Sequence, residues 1–482
     1  MNVVIDLLPS PHQYLSHAVD LFVGWPLSAT RKSVDKRRAA DFDVDVWESG
    51  FFPRQPLARL PRAYAAWERA LDSAATELSL WEDESDEAAA KRVSGEAWRQ
   101  QVRSWPVIDT EPLQCNLRLA QRAHLVLAWL VHYYVHSAPE PAPGQPFVVP
   151  KSLAVPLVAI SQHLGIAPIL TFADTVLWNW EFIDASKPFS IDNMRFVNLF
   201  SGTEDERNFY LTSAQAEFRG IEMLRIIDEY NNLPNIEGDM TAISKVARDL
   251  ARLAGIIADI SDIIQGVRAV VDPHVFYWDL RPWFEGSDAK GPEAPGWVYE
   301  GVEDSDALDL SGPSAGQSSV MHALDVFLDV DHKLRSRRYP APSAENKRAD
   351  HGFMDRMRRY MPGKHRDYLT WISTPSARAA GRVSLRELAG RTPQLREPFD
   401  NAVMALKKLR DLHMRIACLY IVTQSRTTPS AYAGCPVASM MERLQKSRAA
   451  GEGPTRGTGG NELSLLLKAG RDATRRTLLK DN

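Results

Sequence analysis

Apolar residues recur every three or four positions along most of this chain, the spacing of helices that each bury one face. The clearest stripe lies in Asn401–Gln424, where Leu406, Leu409, Leu412, Ile416, Leu419 and Tyr420 share one side. Met240–Val271 repeats it with Val246, Leu250, Leu253, Ile257, Ile260 and Ile264. Leu117–His136 is apolar nearly all round, which predicts a helix buried on every side. Helices are also predicted over Ala63–Leu80, Ile169–Trp180, Phe209–Tyr230 and Glu462–Leu479, and one grows out of the small residues that open Ser311–Leu334. Met357–Leu369 is predicted helical up to Pro362, and Pro156 and Pro168 are predicted in first turns, where a missing N–H costs nothing. Glu82–Arg99 is charged and predicted exposed. Gly50–Pro61, Ser137–Pro146, Glu285–Pro295, Tyr339–Asp350 and Thr427–Arg456 read as loops. No run alternates with a strand's period of two, and no segment repeats. The pattern predicts an all-α protein.

Composition narrows the functions open to it. With 482 residues, 44% of them hydrophobic, the chain can build two or three domains or one large helical core. A net charge of −4 without a long basic run argues against nucleic acid or an anionic membrane as partner. The basic patch at Arg31–Arg38 reads as part of a solvated N-terminal extension. No apolar run reaches the ~18–20 residues that cross a bilayer. The short apolar start stops at Pro9 and lacks a basic lead, so no signal peptide is expected. Cys115, Cys418 and Cys435 form no C-x-x-C and no C-x-x-C-H, which excludes zinc ribbons and covalently attached haem. Sparse, odd cysteines suit a reducing compartment, and a cytoplasmic location is expected.

Two histidine settings carry candidate chemistry. His413 interrupts the apolar stripe of Asn401–Gln424, and Arg410 lies nearly one turn earlier on almost the same face. A neutral imidazole in an apolar wall suits an axial haem ligand, and an arginine beside it suits a haem propionate. The competing reading is a hydrogen-bonded core histidine. His132 and His136 stand at i, i+4, a metal-binding spacing, but no carboxylate joins them in an H-E-x-x-H arrangement. Core or supporting roles are expected for that pair.

Several segments, taken in order, resemble the indoleamine 2,3-dioxygenase family. They are VPKSLAVPLVAISQHLGIAPILTFADTVLWNW, FYLTS, FYWDLRPWF, VYEG, SAGQSS, MRRYMP, LRDLH and GTGG. The resemblance runs from about Val44 to the C-terminus. It implies a smaller N-terminal helical domain (46–200, after an extension over 1–45), a larger all-helical C-terminal domain (201–482), and haem b between them. It also implies a reaction in which O₂ opens the indole C2–C3 bond of L-tryptophan to give N-formyl-L-kynurenine. A monomer is expected.

By motif, the resemblance makes His413 the proximal haem ligand, Arg410 the arginine near a propionate, and Asp325 the acidic residue on the proximal side. On the distal side it assigns Phe209 and Ser213 to face substrate, Phe276 to an aromatic wall and Arg281 to the substrate carboxylate. Ser314 and Ala315 belong to the loop over the haem, and Thr458 and Gly459 to a mobile loop that closes over the amino acid. Phe172, Thr175, Tyr210 and Pro313 stand where the mammalian pattern has Tyr, Cys, Phe and Gly respectively, departures that bear on substrate range. Each assignment has a plainer alternative: Ser213 as a back-bonding serine, Arg281 paired with Asp279 or Glu285, Phe209 and Phe276 as core. The rival functions are a related haem enzyme of this fold acting on another indole, and a haem-binding sensor without turnover.

Overall fold

The computed structural model describes residues 38–233, 236–291, 295–332, 352–374, 383–428 and 463–479. Its long helices are α1 (Ala65–Glu77), α2 (Asp86–Ser104), α3 (Leu117–His136), α4 (Lys151–Leu164), α5 (Glu204–Arg219), α6 (Ile221–Asn232), α7 (Met240–Val270), α8 (Ser319–Phe327), α9 (Gly363–Ser373), α10 (Leu385–Arg391), α11 (Pro393–Ala417) and α12 (Leu463–Arg475). The all-α expectation holds, with four three-residue strands added. β1 (Phe147–Val149) pairs in parallel with β4 (Trp297–Tyr299), and β2 (Trp180–Phe182) pairs antiparallel with β3 (Met194–Phe196).

Local chemistry sets the helix ends. Asn116 caps α3 by accepting from the N–H groups of Arg118 and Leu119. Thr203, Asp239 and Ser318 cap α5, α7 and α8 in the same way. The all-round apolar α3 is buried along nearly its whole length, as its pattern predicts. In the C-terminal half, α7 lies along α11, α5 packs on α7, and α12 covers α11. A single hydrophobic core runs through both halves of the chain. At roughly 2 kcal/mol for each fully buried Leu or Ile, that core is the main stabilising element.

Five local expectations need correction. Ile169–Trp180 is buried but not one helix: a π-helical turn covers Ala173–Leu177, and Trp180 begins β2. Asn179 drives the change, since its side-chain oxygen takes the Asn198 N–H at 2.9 Å and its amide nitrogen reaches the Asn198 carbonyl at 2.9 Å. Pro156 sits inside α4, because Pro150 caps a helix that starts at Lys151. Its missing N–H removes the bond to the Ser152 carbonyl, a loss that the packing of α4 against α3 offsets. Pro168 lies in the loop between α4 and the π-helical turn, and its carbonyl accepts from the Tyr299 hydroxyl at 2.7 Å. The charged stretch before Arg99 is helix α2, and its inner face is buried: Arg99 donates to the Ser137 carbonyl at 2.6 Å. The stripe over Phe209–Tyr230 divides into α5 and α6 at Gly220, where a methyl group would run into Val320 of α8. Most of the basic patch at 31–38 and most of the 427–456 loop lie outside the described residues, as does all of the 339–350 loop.

Candidate active site

Helix α11 carries His413 on a flank of its buried stripe, with Leu406, Leu409 and Leu412 facing the core. Burial, and secondarily the Arg410 charge, push its imidazole pKa below the ordinary value, so the ring is neutral with a lone pair to offer. Among the described residues neither ring nitrogen of His413 has a hydrogen-bond partner. Six other described histidines each have one: His124 on Asp174, His132 on Trp283, His136 on Glu285, His322 on Gly316, His332 on Asp325 and His365 on Ser319. The ring is half-buried, so its nitrogens, free of protein partners among the described residues, are open to a ligand. The residues present therefore fit an iron-porphyrin that takes the imidazole as its axial ligand.

Arg410, three residues earlier, grips Asp325 of α8 with two contacts of 2.5 and 2.7 Å, and also donates to Thr474 and the Gly470 carbonyl of α12. His332 Nε2 lies 2.7 Å from the same carboxylate. Burial alone would raise the Asp325 carboxyl, but Arg410 and His332 hold it well below the usual carboxylate range. Arg410 is thus engaged protein-side, by an acidic residue and a C-terminal helix, next to the histidine.

On the other wall, Phe209 of α5 meets Phe276 with ring centroids 4.9 Å apart, and Phe276 meets Tyr420 edge-on at 5.6 Å. Tyr420 continues the turn of α11, so the aromatic pair and His413 are carried by touching elements. Phe276 belongs to a π-helical turn, Phe276–Leu280, followed by a 3-10 turn, Arg281–Phe284. Arg281 is 8% exposed, lies 5.2 Å over the Tyr277 ring and donates to Glu285 at 2.5 Å. Of its two alternative partners read from sequence, Glu285 is the one engaged, in a partly buried rather than a surface pair.

The remaining candidates divide. The Ser213 hydroxyl donates to the Phe209 carbonyl at 3.0 Å, inside its own helix. Tyr210 is fully buried, and its hydroxyl donates to Glu206 at 2.8 Å. Thr175 back-bonds to the carbonyls of Thr171 and Phe172 at 3.3 and 3.4 Å. The Phe172 N–H donates to Gln317 at 2.8 Å, and the Gln317 amide in turn donates to the Gly312 carbonyl at 2.9 Å. Gln317 therefore joins the Phe172 wall to the loop of Ser314 and Ala315. Ser314 accepts from the Gly316 N–H at 3.1 Å, while Ala315 is exposed. Thr458 and Gly459 lie outside the described residues.

Sequence reasoning missed Gln317 and Glu217. Glu217, one turn after Ser213, is buried and accepts from Ser318 at the start of α8, and burial pushes its carboxyl up to about 7. Gln317 stands inside the SAGQSS segment already singled out, but no local pattern announces a partner 145 positions away.

Behind these walls the backbone closes tightly. Ser287 N–H donates to the Leu310 carbonyl at 2.8 Å, and a methyl group on Gly312 would overlap the Phe284 carbonyl, as one on Gly286 would overlap Leu310 and Gly312. The segment after Arg281 is thereby pressed against the segment before Ser314. Among the described residues there is no group of three metal-binding side chains and no helix long and apolar enough to cross a membrane.

The family model for indoleamine 2,3-dioxygenase matches residues 38–477. The chain is 29% identical over 445 residues to indoleamine 2,3-dioxygenase 1 of Rattus norvegicus, covering 92% of this chain and 96% of the relative. It is 30% identical over 439 residues to an indoleamine 2,3-dioxygenase of Aspergillus candidus, covering 88% and 94%. It is 27% identical over 437 residues to a 6-hydroxytryptophan 2,3-dioxygenase of Fusarium equiseti, covering 88% and 94%. A bare neutral histidine beside an arginine–aspartate pair, an aromatic wall with a buried arginine and a match across nearly the whole chain lead to one conclusion: this protein belongs to the indoleamine 2,3-dioxygenase family of haem-dependent dioxygenases.

Proposed function

We propose that this enzyme opens the C2–C3 bond of L-tryptophan with O₂ to give N-formyl-L-kynurenine, using haem b held by His413. The observation that carries the reading is the unpartnered, neutral imidazole of His413 in an apolar helix face. When bound, the haem iron supplies the oxygen activation that no amino-acid side chain can. The cofactor would lie where residues 46–200 meet residues 201–482, with the Arg410–Asp325 pair beside it. We further propose a cytoplasmic monomer.

The side chains bind, orient and exclude water. Phe209 and Phe276 offer two apolar ring faces for a flat indole. Arg281 offers a planar fork for the substrate carboxylate. Until substrate arrives, Glu285 neutralises that buried guanidinium, which would otherwise be costly. The carboxylate then joins or replaces Glu285, fixing which indole carbon faces the reaction centre. Ser213, whose proton is committed to Phe209, is not a base. Thr458 and Gly459 would close the pocket over the amino acid.

Because one relative is named for 6-hydroxytryptophan, a ring-substituted tryptophan is the second reading. The test is direct. Purified protein should show a Soret band, bind CO in the ferrous form and form N-formylkynurenine from L-tryptophan. His413→Ala should lose both the band and the product. Full haem content in that variant would remove His413 as the ligand, and a haem protein inert to L-tryptophan but active on 6-hydroxytryptophan would select the second reading.

A further inference from the structure

The histidine pair on α3 has no part in the reaction described above, yet it reaches the same site. His132 Nδ1 lies 2.7 Å from the Trp283 carbonyl, and His136 Nε2 lies 2.9 Å from the Glu285 carbonyl. A carbonyl only accepts, so each of these nitrogens must carry a proton. The two bonds clasp the chain on either side of Phe284, directly after Arg281, and bridge 151 and 149 positions of sequence. His136 holds the backbone of the very residue whose carboxylate pairs with Arg281. Aromatic contacts keep the rings from turning: Trp297 meets His132 at 5.4 Å and His136 at 5.8 Å, both edge-on.

The carbonyls of a four-residue 3-10 turn find few partners inside the turn itself. Outside anchors must fix its direction, and on the α3 side these are two imidazoles. Burial pushes their pKa values down to about 3 and about 4, so neither adds a positive charge that would repel the Arg281 guanidinium.

We propose that His132 and His136 are positioning residues for substrate recognition: they hold the Trp283–Glu285 backbone so that Arg281 presents its fork to the carboxylate of an indole amino acid. This rests on the assignment of Arg281 to the carboxylate. Carboxylate selectivity is thereby set partly from α3, a helix that needs no contact with substrate. A misplacement of about 1 Å at a clamping group can cost about a hundredfold in rate.

The test compares L-tryptophan with tryptamine, which lacks the carboxylate. The comparison uses kcat/KM, or competitive inhibition by tryptamine where it is not turned over. Arg281→Ala, run alongside, should lower the preference for L-tryptophan by roughly thirtyfold or more. His136→Leu and His132→Leu should each lower it by about tenfold, mainly through KM, with the Soret band retained. His136→Gln and His132→Asn should recover most of it, because their amide nitrogens stand near Nε2 and Nδ1 respectively. Should His132→Leu fail to fold, the half-buried His136 with its Leu and Gln variants still decides the matter. If Arg281→Ala leaves the preference unchanged, the carboxylate assignment falls. If Arg281→Ala removes the preference while His136→Leu keeps it, or if His136→Gln is no better than His136→Leu, the positioning role falls alone.

Discussion

The Ser213 hydroxyl is held by its own helix, donating to the Phe209 carbonyl. Removing it should therefore leave chemistry largely intact: Ser213→Ala should keep turnover within about tenfold, roughly 1.4 kcal/mol of barrier. Single-turnover rates on haem-replete protein would check this, and a loss of several orders of magnitude would give the hydroxyl an essential proton role. At this scale the sequence carried a good deal. Arg281 could be read as a buried cation that needs an anion, and Glu285, four residues on along a helical turn, was one of two partners in view. The engagement of Arg410 was less legible, since Asp325, Gly470 and Thr474 lie 60 to 85 positions away. Spacing along one helix says what shares a face, not what approaches that face from elsewhere.

Helices with a strong apolar stripe, such as α3 and α7, were readable almost to their ends because periodicity and a capping Asn or Asp agree. Ile169–Trp180 was not, because a short buried run looks alike as helix or strand. Its outcome turned on Asn179 meeting Asn198. Glu217 on α5 was equally hidden, although it gives the element a measurable pH response. Its carboxyl is raised from 4.5 to about 7 by burial, so between these values the folded protein holds a proton that the unfolded chain has released. Its contribution to stability is full below about pH 4.5 and is lost as pH rises through about 7, by an amount of order 3 kcal/mol. Glu217→Gln keeps a neutral group of the same shape and should remove that part of the slope. Urea unfolding at pH 5.5 and pH 8 should show the variant gaining on the parent at the higher pH. Parallel behaviour of the two proteins at both pH values would mean that Glu217 is ionised throughout.

On the scale of the whole molecule, the N-terminal helices and the C-terminal bundle share one core, and several polar ties cross between them: His132 to Trp283, His136 to Glu285, Phe172 to Gln317. The all-helical class was legible from the apolar period alone. These ties were not, because each joins residues more than 140 positions apart, which no local pattern encodes. The tightest closure is the glycine contact behind the site. Gly312→Ala would force a methyl group into the Phe284 carbonyl and should cost about 1–3 kcal/mol or more, seen as a lower Tm with reduced haem retention. An unchanged Tm would mean that the two segments part easily. With backbone against backbone at Gly286 and Gly312, the spacing of these two segments becomes a fixed dimension of the scaffold. Descendants of this sequence seeking a bulkier or more polar indole have little room to do so by drifting or lengthening a loop there. Their accessible route is to exchange side chains, as at Phe172 and Thr175, while the frame stays still.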